Sequence, residues 1–527
     1  MNSMNCQQFR EMLVSGANNL ANQHEYINTL NVFPVPDGDT GTNMNMTFGS
    51  GVREVSKMMS ESIGETSKAL GKNMLMSARG NSGVILSQIF KGIYRSFTDK
   101  QDVTAEDFCR AFENGSKQAY KAVMRPVEGT ILTVIREASE AASRYFKAKK
   151  DCDIVQYFDA LLISARKSLE HTPELLPVLK EVGVVDSGGA GLVCIIEGFW
   201  AYLHGRPIKL ADASDKEQAA ERGYCVEIVL RVTNKDHDYD SFRTVMGKNG
   251  SLVDCVKEEN EIRFHVHTLK PGDVLNRSQK EGILESIKIE NIEIEHNVKG
   301  DYTVKTVENS KYAIISVVNG KGIEEMFRQL GVEHFVFGGQ TMNPAAGDFV
   351  SLIKNIHADT VFILPNNSNI IMAAQRAKKV LKDRNVIVME SKSIPEGLSA
   401  AMVLNQEAEP SENEDNMMEA IREVKTGSVT NAVKDTSFNS VAIHKDDYMG
   451  ICGKEIIASS KDLKDVTCKL LDSMIDEDSS YVTVIYGRGV EKALVGEIEK
   501  YVNDKYGLDC GVNDGAQDLY PFIIGVE

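Results

Sequence analysis

The chain of 527 residues carries a formal net charge of −17 and 42% hydrophobic residues, so it is too long for one core and should form two to four domains. The negative charge disfavours a nucleic-acid groove, which needs a positive field, and no apolar run reaches the roughly 18 residues of an integral membrane span. Nine scattered cysteines without a CxxC pair and a polar N-terminus predict a reduced, cytoplasmic protein.

Residues 1–208 are predicted to form a first domain, an all-α bundle of antiparallel helices. Apolar side chains recur at helical spacing in several segments, among them Val103–Val123, Ile131–Phe146, Ile154–Leu169 and Leu192–Leu203. Short loops that contain glycine separate the helices, namely Pro36–Thr42, Ala78–Gly83, Pro126–Thr130 and Val185–Gly191. Gathered at one end of the bundle, such loops can build a nucleotide site.

A second, smaller domain is predicted over residues 223–300, after a linker of small and charged residues at Ala211–Arg222. Strands are expected at Tyr224–Val232, Ser251–Val256, Glu261–His267 and Ile287–Ile294. One helix is expected over Asp240–Met246, after the first strand, and a second over Val274–Glu281, before the last. The resulting β-α-β-β-α-β order is typical of a ferredoxin-like α+β domain.

Residues 310–527 are predicted to form a third domain of the α/β type, because strand and helix patterns alternate. Its expected strands are Tyr312–Val318, Phe335–Phe337, Thr360–Leu364, Val386–Met389, Tyr481–Tyr486 and Tyr520–Val526. The acidic segment Asn405–Asn416 is predicted to be an exposed linker within this domain.

The segment Asn31–Asn43 reads NVFPVPDGDTGTN and places Asp37 two residues before Asp39. The prolines and glycines around them give the loop a defined shape, so both carboxylates can be aimed at one point. Mg²⁺ is usually held by one or two carboxylates plus substrate phosphates. A solvated Asp-Gly turn is the simpler interpretation, but the Gly-Thr-Asn that follows supplies amide and hydroxyl donors suited to phosphate.

Three further loops carry similar donors directly before predicted helices. They are Ala78–Gly83, Arg125–Thr130 and Asp186–Gly191. Unpaired amides and a positive dipole end make a helix N-terminus a phosphate site, although simple capping by Asn81 or Ser82 explains the first of them equally well. The sequence contains no Walker-type loop and no GxGxxG fingerprint after a strand.

These loops resemble the L-subunit, nucleotide-binding domain of dihydroxyacetone kinases. The segments NVFPVPDGDTGTNM, ARGNSGVILSQIFKG and PVEGTILTV are similar to sequences of the A subunits of bacterial fatty acid kinases. This resemblance covers the whole chain. It implies a helical barrel, a small middle domain and a C-terminal α/β domain that docks a separate, DegV-like fatty-acid carrier protein. It also implies transfer of the γ-phosphoryl group of ATP to a fatty acid carboxylate, and a homodimer.

Carried over by position, the resemblance implies two Mg²⁺ ions held by Asp37 and Asp39, with Asn31 near the place where sugar kinases use a third aspartate. The residues that it places around ATP or ADP are Thr40, Gly41, Thr42, Asn43, Asn81, Ser82, Gly83, Thr130, Asp186 and Gly188. Arg79 is a candidate for stabilising the transferred charge, the alternative being a structural partner of a nearby carboxylate. A fatty acid, with a pKa of about 4–5, is already ionised at neutral pH, so no general base is required.

Cys225, His265 and His267 form a second candidate site, in the middle domain. The two histidines are two residues apart in a predicted strand and face the same side, and one Cys with two His can hold Zn²⁺ with one position left open. Exposed or structural histidines are the alternative, and His237 and Cys255 are competing ligands.

Two loops of the C-terminal domain follow predicted strands, where α/β domains place their ligand loops. They are Gly338–Pro344 and Pro365–Asn369. A small-ligand pocket and a buried structural turn are both open interpretations, and the resemblance adds docking of the carrier protein as a third.

Two other functions compete with the fatty acid kinase. A dihydroxyacetone-type kinase acting on a small polyol would need a domain that holds the substrate through a histidine, and no comparable segment is found. A non-catalytic nucleotide-binding scaffold or regulator would bind ADP without turnover.

Overall fold

The computed structural model describes residues 1–31, 38–123, 126–211, 224–233, 239, 242, 246, 251–258, 261–268, 270–291, 310–339, 343–432, 436–438, 441–453 and 455–527. The chain divides into two compact units. One unit combines Met1–Lys209 with Glu308–Glu527, and the other is Leu210–Val307. Among the described helices, none is long and apolar enough to cross a membrane.

The N-terminal part is helical, as predicted. Its helices are α1 (Cys6–Leu30), α2 (Thr40–Ser56), α3 (Ile63–Met76), α4 (Gly80–Ser96), α5 (Ala105–Ala122), α6 (Ile131–Ala148), α7 (Ile154–Leu175), α8 (Pro177–Val182) and α9 (Ser187–Leu203). Two short strands, β1 (Ser3–Met4) and β2 (Val103–Thr104), pair in antiparallel fashion. Helices α1, α5 and α7 each begin with a capping box, which satisfies amides at the helix start.

One apolar core holds the helical part together. It includes edge-to-face aromatic pairs, such as Phe97 with Phe108 and Phe108 with Phe158. Helix α9 begins at Ser187, five residues before the predicted Leu192, because the apolar stripe begins only after the glycines of its first turn.

In its described residues, the middle unit has an antiparallel sheet and a helix. Its elements are β3 (Tyr224–Val232), β4 (Ser251–Glu258), β5 (Glu261–Thr268), α10 (Pro271–Gln279) and β6 (Gly282–Asn291), and the sheet order is β4-β5-β3-β6. Of the helix expected over 240–246, only 242 and 246 are described, so the ferredoxin-like class stays a prediction. Apart from Ala211, the expected linker lies outside the described residues.

The α/β part opens with a parallel four-stranded sheet of order β10-β9-β7-β8. Its elements are β7 (Ser310–Val318), α11 (Lys321–Gln329), β8 (His334–Phe337), α12 (Ala346–Lys354), β9 (Ala358–Leu364), α13 (Ser368–Val380), β10 (Asn385–Val388) and α14 (Ile394–Met402). Because these strands are parallel, the loops after β8 and β9 leave the same edge of the sheet.

A mixed six-stranded sheet of order β15-β14-β11-β18-β16-β17 completes this part. The remaining elements are α15 (Pro410–Glu423), β11 (Lys425–Asn431), β12 (Thr436–Phe438), β13 (Val441–Ile443), β14 (Tyr448–Cys452), β15 (Glu455–Ser460), α16 (Leu463–Met474), β16 (Tyr481–Tyr486), α17 (Lys492–Tyr506), β17 (Asp509–Asp514) and β18 (Phe522–Val526). The strand predicted at 481–486 is confirmed, and the last strand begins two residues later than predicted.

The prediction of an exposed linker over Asn405–Asn416 is wrong. Helix α15 begins at Pro410, and Asn413 in its first turn is 0% exposed. The Asn413 amide donates to the Asn405 carbonyl oxygen (2.8 Å), and the Asn405 N–H donates to Asn413 Oδ1 (2.9 Å). The acidic residues that suggested a linker lie on the exposed face of the helix, while Met417 is buried.

Within the first unit, the helical part contacts the α/β part directly. Met76, the last residue of α3, packs against the apolar cluster that α12 forms with the parallel sheet. A Cβ placed on Gly347 of α12 would lie 3.1 Å from the Met76 carbonyl oxygen. The end of α3 therefore packs closely against the beginning of α12.

Candidate active site

Asp39 stands immediately before α2, in the position of an N-cap residue, but its side chain makes no capping hydrogen bond. The carboxylate is instead 6% exposed, and one oxygen accepts a hydrogen bond from the Asn343 side-chain amide. Burial raises the pKa of Asp39 to about 6, and hydrogen bonds from the side chains of Asn43 and Asn343 act against that shift. Thr40 and Asn43 are buried beside it.

The first turn of α2 is held tightly against α1. A Cβ on Gly41 would lie 2.0 Å from the His24 carbonyl oxygen, so only glycine allows this approach. The Asn28 side chain makes two hydrogen bonds to Thr42. Its Oδ1 accepts from the Thr42 N–H (3.1 Å), and its Nδ2 donates to Thr42 Oγ1 (2.9 Å). Since Thr42 Oγ1 accepts this bond, its own hydroxyl hydrogen stays available as a donor.

The start of α4 lies against α2 through two glycines. Gly80 has φ +57°, and a Cβ there would lie 2.5 Å from the Asn43 amide nitrogen. A Cβ on Gly83 would lie 2.4 Å from Thr47 Oγ1, which also accepts a hydrogen bond from the Arg79 N–H (3.2 Å). Asn81 and Ser82 lie in the first turn of α4.

Arg79, the N-cap residue of α4, is 9% exposed, and its guanidinium group donates to the Asn343 carbonyl oxygen (2.8 Å). Burial lowers its pKa, and the charge of Asp348 acts in the opposite direction. The Asn81 amide donates to Asn369 Oδ1 (3.2 Å) at the start of α13. The predicted charge-stabilising arginine and Asp39 thus share Asn343 as a hydrogen-bond partner, and the observed partner of Arg79 is a backbone carbonyl.

The starts of α6 and α9 are joined by one carboxylate. Asp186 caps α9 by accepting from the Gly189 N–H (2.7 Å), and it also accepts from the backbone of Ile131 in α6. Burial raises the pKa of Asp186 to about 6, and these backbone bonds oppose the shift. Thr130 caps α6, and a Cβ on Gly188 would lie 3.3 Å from Ile131.

The four helix N-termini form one connected set. Helix α9 reaches α2 where a Cβ on Gly191 would lie 2.5 Å from Met44 Sδ, and the contacts above link α2 to α4 and α9 to α6. The structure therefore brings together the segments that hold the predicted nucleotide residues.

The structure bears differently on the other two predicted metal ligands, Asp37 and Asn31. Asp37 lies outside the described residues, so the pair of carboxylates stays a prediction. Asn31 is the C-cap of α1, and its N–H donates to the Asn28 carbonyl oxygen (3.1 Å).

The chemistry of Asp39 fits a hard cation. Its carboxylate is buried, does not cap its helix, and has amides rather than a Lys or Arg of the described residues as its partners. In the described part of the chain, no three His, Cys, Asp or Glu side chains cluster as a metal site. Asp39 would therefore hold Mg²⁺ together with ligands from outside this set, such as nucleotide phosphates.

In the middle unit, the backbone places the predicted Zn²⁺ residues on neighbouring strands. Cys225 of β3 is the register partner of His267 of β5, and His265 pairs with Glu227. The side chains of Cys225, His265 and His267 lie outside the described part of the structure, so this site stays a prediction.

Sequence reasoning missed Asn28 and named Asn343 and Asn369 only as members of two loops. Both lie within the loops predicted to carry ligands, but their partners are in the helical part. Asn366, in the second loop, is a buried structural residue whose amide donates to Ser316 Oγ (2.9 Å).

Three family models match the chain. The model described as DAK2 domain matches residues 34–201. Two FakA-like models, which describe the middle and C-terminal domains of proteins similar to the A subunit of fatty acid kinase, match residues 221–299 and 313–527. Together they support a kinase.

Individual proteins resemble the chain to different degrees. Protein YloV of Bacillus subtilis (strain 168) is 41% identical over 98% of both chains. A DegV family protein from Thermus thermophilus, whose structure is titled for fatty acid binding, matches 41% of this chain and 100% of its own at 12% identity and a TM-score of 0.32. Dihydroxyacetone kinase from C. freundii, solved with AMP-PNP and Mg²⁺, matches 38% of this chain and 34% of its own at 17% identity and a TM-score of 0.28. From the family models and the full-length identity, the chain belongs to the FakA-like family, the proteins similar to the A subunit of fatty acid kinase.

Proposed function

We propose that the chain is the catalytic subunit of a fatty acid kinase, which transfers the γ-phosphoryl group of ATP to a fatty acid carboxylate presented by a separate carrier protein. The observation that carries the proposal is the joined set of four helix N-termini with the buried Asp39 carboxylate at one of them. Helix N-termini favour phosphates, and a buried carboxylate favours a divalent cation. Membership of the family supports the same activity.

The proposed site assigns a task to each group of residues. Asp39, with Asp37 and Asn31 by resemblance, would hold two Mg²⁺ ions, which supply charge neutralisation when bound. The hydroxyl of Thr42 and the first turns of α4, α6 and α9 would donate to the phosphates. Asp186 would keep α6 and α9 together rather than touch the nucleotide, because its oxygens already accept backbone bonds.

The reaction needs no proton transfer. A carboxylate oxygen of the ionised fatty acid forms a bond to the γ-phosphorus, and the bond to the oxygen bridging the β- and γ-phosphates breaks, giving acyl phosphate and ADP. Arg79, always protonated, would balance charge at the site, and its hydrogen bond to Asn343, which also bonds to Asp39, supports this role. Alignment of the two reactants is then the main task of the protein.

The protein partner, the cellular location, the oligomeric state and a second metal site are also part of the proposal. We propose a DegV-type carrier protein as the partner of the C-terminal domain, a cytoplasmic location and a homodimer, all from the resemblance. We also propose, from the same resemblance, that a ferredoxin-like middle domain holds Zn²⁺ through Cys225, His265 and His267. The strand register, which pairs Cys225 with His267, supports this site.

The test is an assay of the full-length protein with ATP, Mg²⁺ and fatty acid loaded on a DegV-type carrier. Acyl phosphate is trapped with hydroxylamine and detected as the hydroxamate. We expect the product only when the carrier is present. Phosphorylation of dihydroxyacetone without a carrier would favour the polyol kinase, and tight ADP binding without any product would favour the scaffold.

A further inference from the structure

The C-terminal part of the chain contributes a residue to the candidate active site. Asn343 lies between β8 and α12 and is 1% exposed. Its side-chain amide donates to Asp39 Oδ2, and its backbone carbonyl oxygen accepts from the Arg79 guanidinium group (2.8 Å). One residue of the α/β part therefore holds both the candidate metal ligand and the candidate charge-stabilising arginine.

A second contact lies at the same edge of the parallel sheet. Asn369, at the start of α13, follows β9, and its Oδ1 accepts from the Asn81 amide (3.2 Å). Asn343 follows β8, and β8 and β9 both pair with β7. The carboxyl edge of the sheet, where α/β folds place functional loops, thus lies against the N-termini of α2 and α4.

Two oxygens at this contact are left without partners. Asn343 Oδ1 and Asn81 Oδ1 are buried, and neither has a hydrogen-bond partner among the described residues. A buried unsatisfied acceptor usually costs about 1–3 kcal/mol. Both side chains therefore use their amide groups for the contact. Their oxygen atoms stay without hydrogen-bond donors from the described part of the chain, next to the candidate phosphate site.

We propose that Asn343 is a positioning residue for Asp39, through which the C-terminal domain completes the metal end of the phosphate site; this rests on the proposed role of Asp39. An amide that donates to a carboxylate oxygen orients a metal ligand. A carboxylate has about four acceptor sites, so Asp39 can still bind an ion beside its bonds from Asn343 and Asn43. The contact also leaves the charge of Asp39 available to a cation, because a neutral amide donates to the carboxylate while Arg79 donates to the Asn343 backbone carbonyl.

The test measures metal binding without turnover. Free Mn²⁺ is titrated by electron paramagnetic resonance into the full-length protein with AMP-PNP, comparing wild type, Asn343→Ala and Asn343→Leu. Both variants remove the side-chain donor but keep the backbone carbonyl that holds Arg79, and Leu also keeps the branched shape and the number of side-chain heavy atoms. We expect Mn²⁺ affinity to fall about 10-fold to 100-fold in both.

The matched control is Asn355→Ala, because the Asn355 amide donates to Ser351 at the end of α12. It should bind Mn²⁺ like wild type. Unchanged Mn²⁺ affinity in a folded Asn343→Leu protein would overturn the proposal, and tighter binding would show that Asn343 obstructs the site instead. Because the measurement needs no fatty acid, a failure of the proposed reaction leaves its outcome readable.

Discussion

Asp39 occupies the position at which an aspartate ordinarily stabilises a helix by capping it, and it does not do so. Such a cap contributes about 1 kcal/mol, so the fold forgoes this stabilisation and keeps a desolvated carboxylate beside two asparagines. Functional residues often lower the stability of the fold, so the missing cap is consistent with a functional role of Asp39.

Asp39→Asn should strongly reduce phosphoryl transfer while leaving the fold intact, since Asn has the same size and its side-chain oxygen can still accept from the Asn343 amide. A neutral amide binds Mg²⁺ far more weakly than a carboxylate, so we expect a loss of at least about 100-fold in hydroxamate formation, or about 2.7 kcal/mol in the barrier. The control is Asp102→Asn, which makes the same change at an exposed position. Activity of Asp39→Asn near wild type would refute the assignment.

Gly41 sets the distance between α1 and α2, and its replacement tests that contact. In Gly41→Ala the new Cβ would lie 2.0 Å from a backbone carbonyl oxygen, so the helices must separate. Overpacking of this kind costs about 1–3 kcal/mol, which thermal unfolding followed by circular dichroism should show as a lower Tm.

Gly49→Ala is the matched control in the same helix, because the nearest atom to its Cβ would be Asn45 Oδ1 at 3.9 Å. There the better helix propensity of Ala should raise stability by up to about 1 kcal/mol. Equal Tm changes in the two variants would contradict the close approach of α1 and α2.

At the scale of elements, α15 is a packed helix whose acidic sequence resembles that of an exposed linker. Asn413→Ala should destabilise the α/β part by about 1–3 kcal/mol, because it leaves the Asn405 N–H and carbonyl groups without their partner. Asn416→Ala, on the exposed face of the same helix, should change stability little. Urea unfolding monitored by circular dichroism distinguishes the two variants. Similar unfolding midpoints would instead support the interpretation of the segment as an exposed linker.

Sequence periodicity predicted most helices and strands because each depends on local spacing of apolar residues. The strand at 481–486 matches its predicted bounds at both ends, since alternation and turn residues mark them. Loops rich in glycine before helices also identified the segments of the candidate site. The prediction failed at the start of α15, because the apolar residues of its buried face, Met417, Ala420 and Ile421, lie beyond the predicted linker. Its first buried position is the polar Asn413, whose partner is Asn405.

At the scale of the whole molecule, the site joins parts of the chain that no local pattern relates. Asn343 and Asp39 are 304 residues apart, and Asn369 and Asn81 are 288 apart. Single amide hydrogen bonds leave no signature in composition or period. The loops were recognisable from sequence, but the partners they meet follow only from the packing of α12 and α13 against the helical part.

Met76→Asp tests whether that packing keeps the site together. Met76 is partly buried against the apolar cluster of the α/β part, and an unpaired carboxylate there loses part of its hydration unless the two parts separate. Separation would expose the Arg79 and Asn343 contacts to solvent. We therefore expect faster hydrogen exchange, measured by mass spectrometry, in peptides covering both 77–83 and 343–350.

Met59→Asp introduces the same charge in the same helical part, at a side chain that is 96% exposed. Its exchange in both peptides should match wild type, because so exposed a side chain has little packing to lose. Faster exchange in 77–83 alone would mean that Met76 stabilises only the end of α3. A joint change in both peptides, absent from Met59→Asp, is what a site built from both parts of the chain requires.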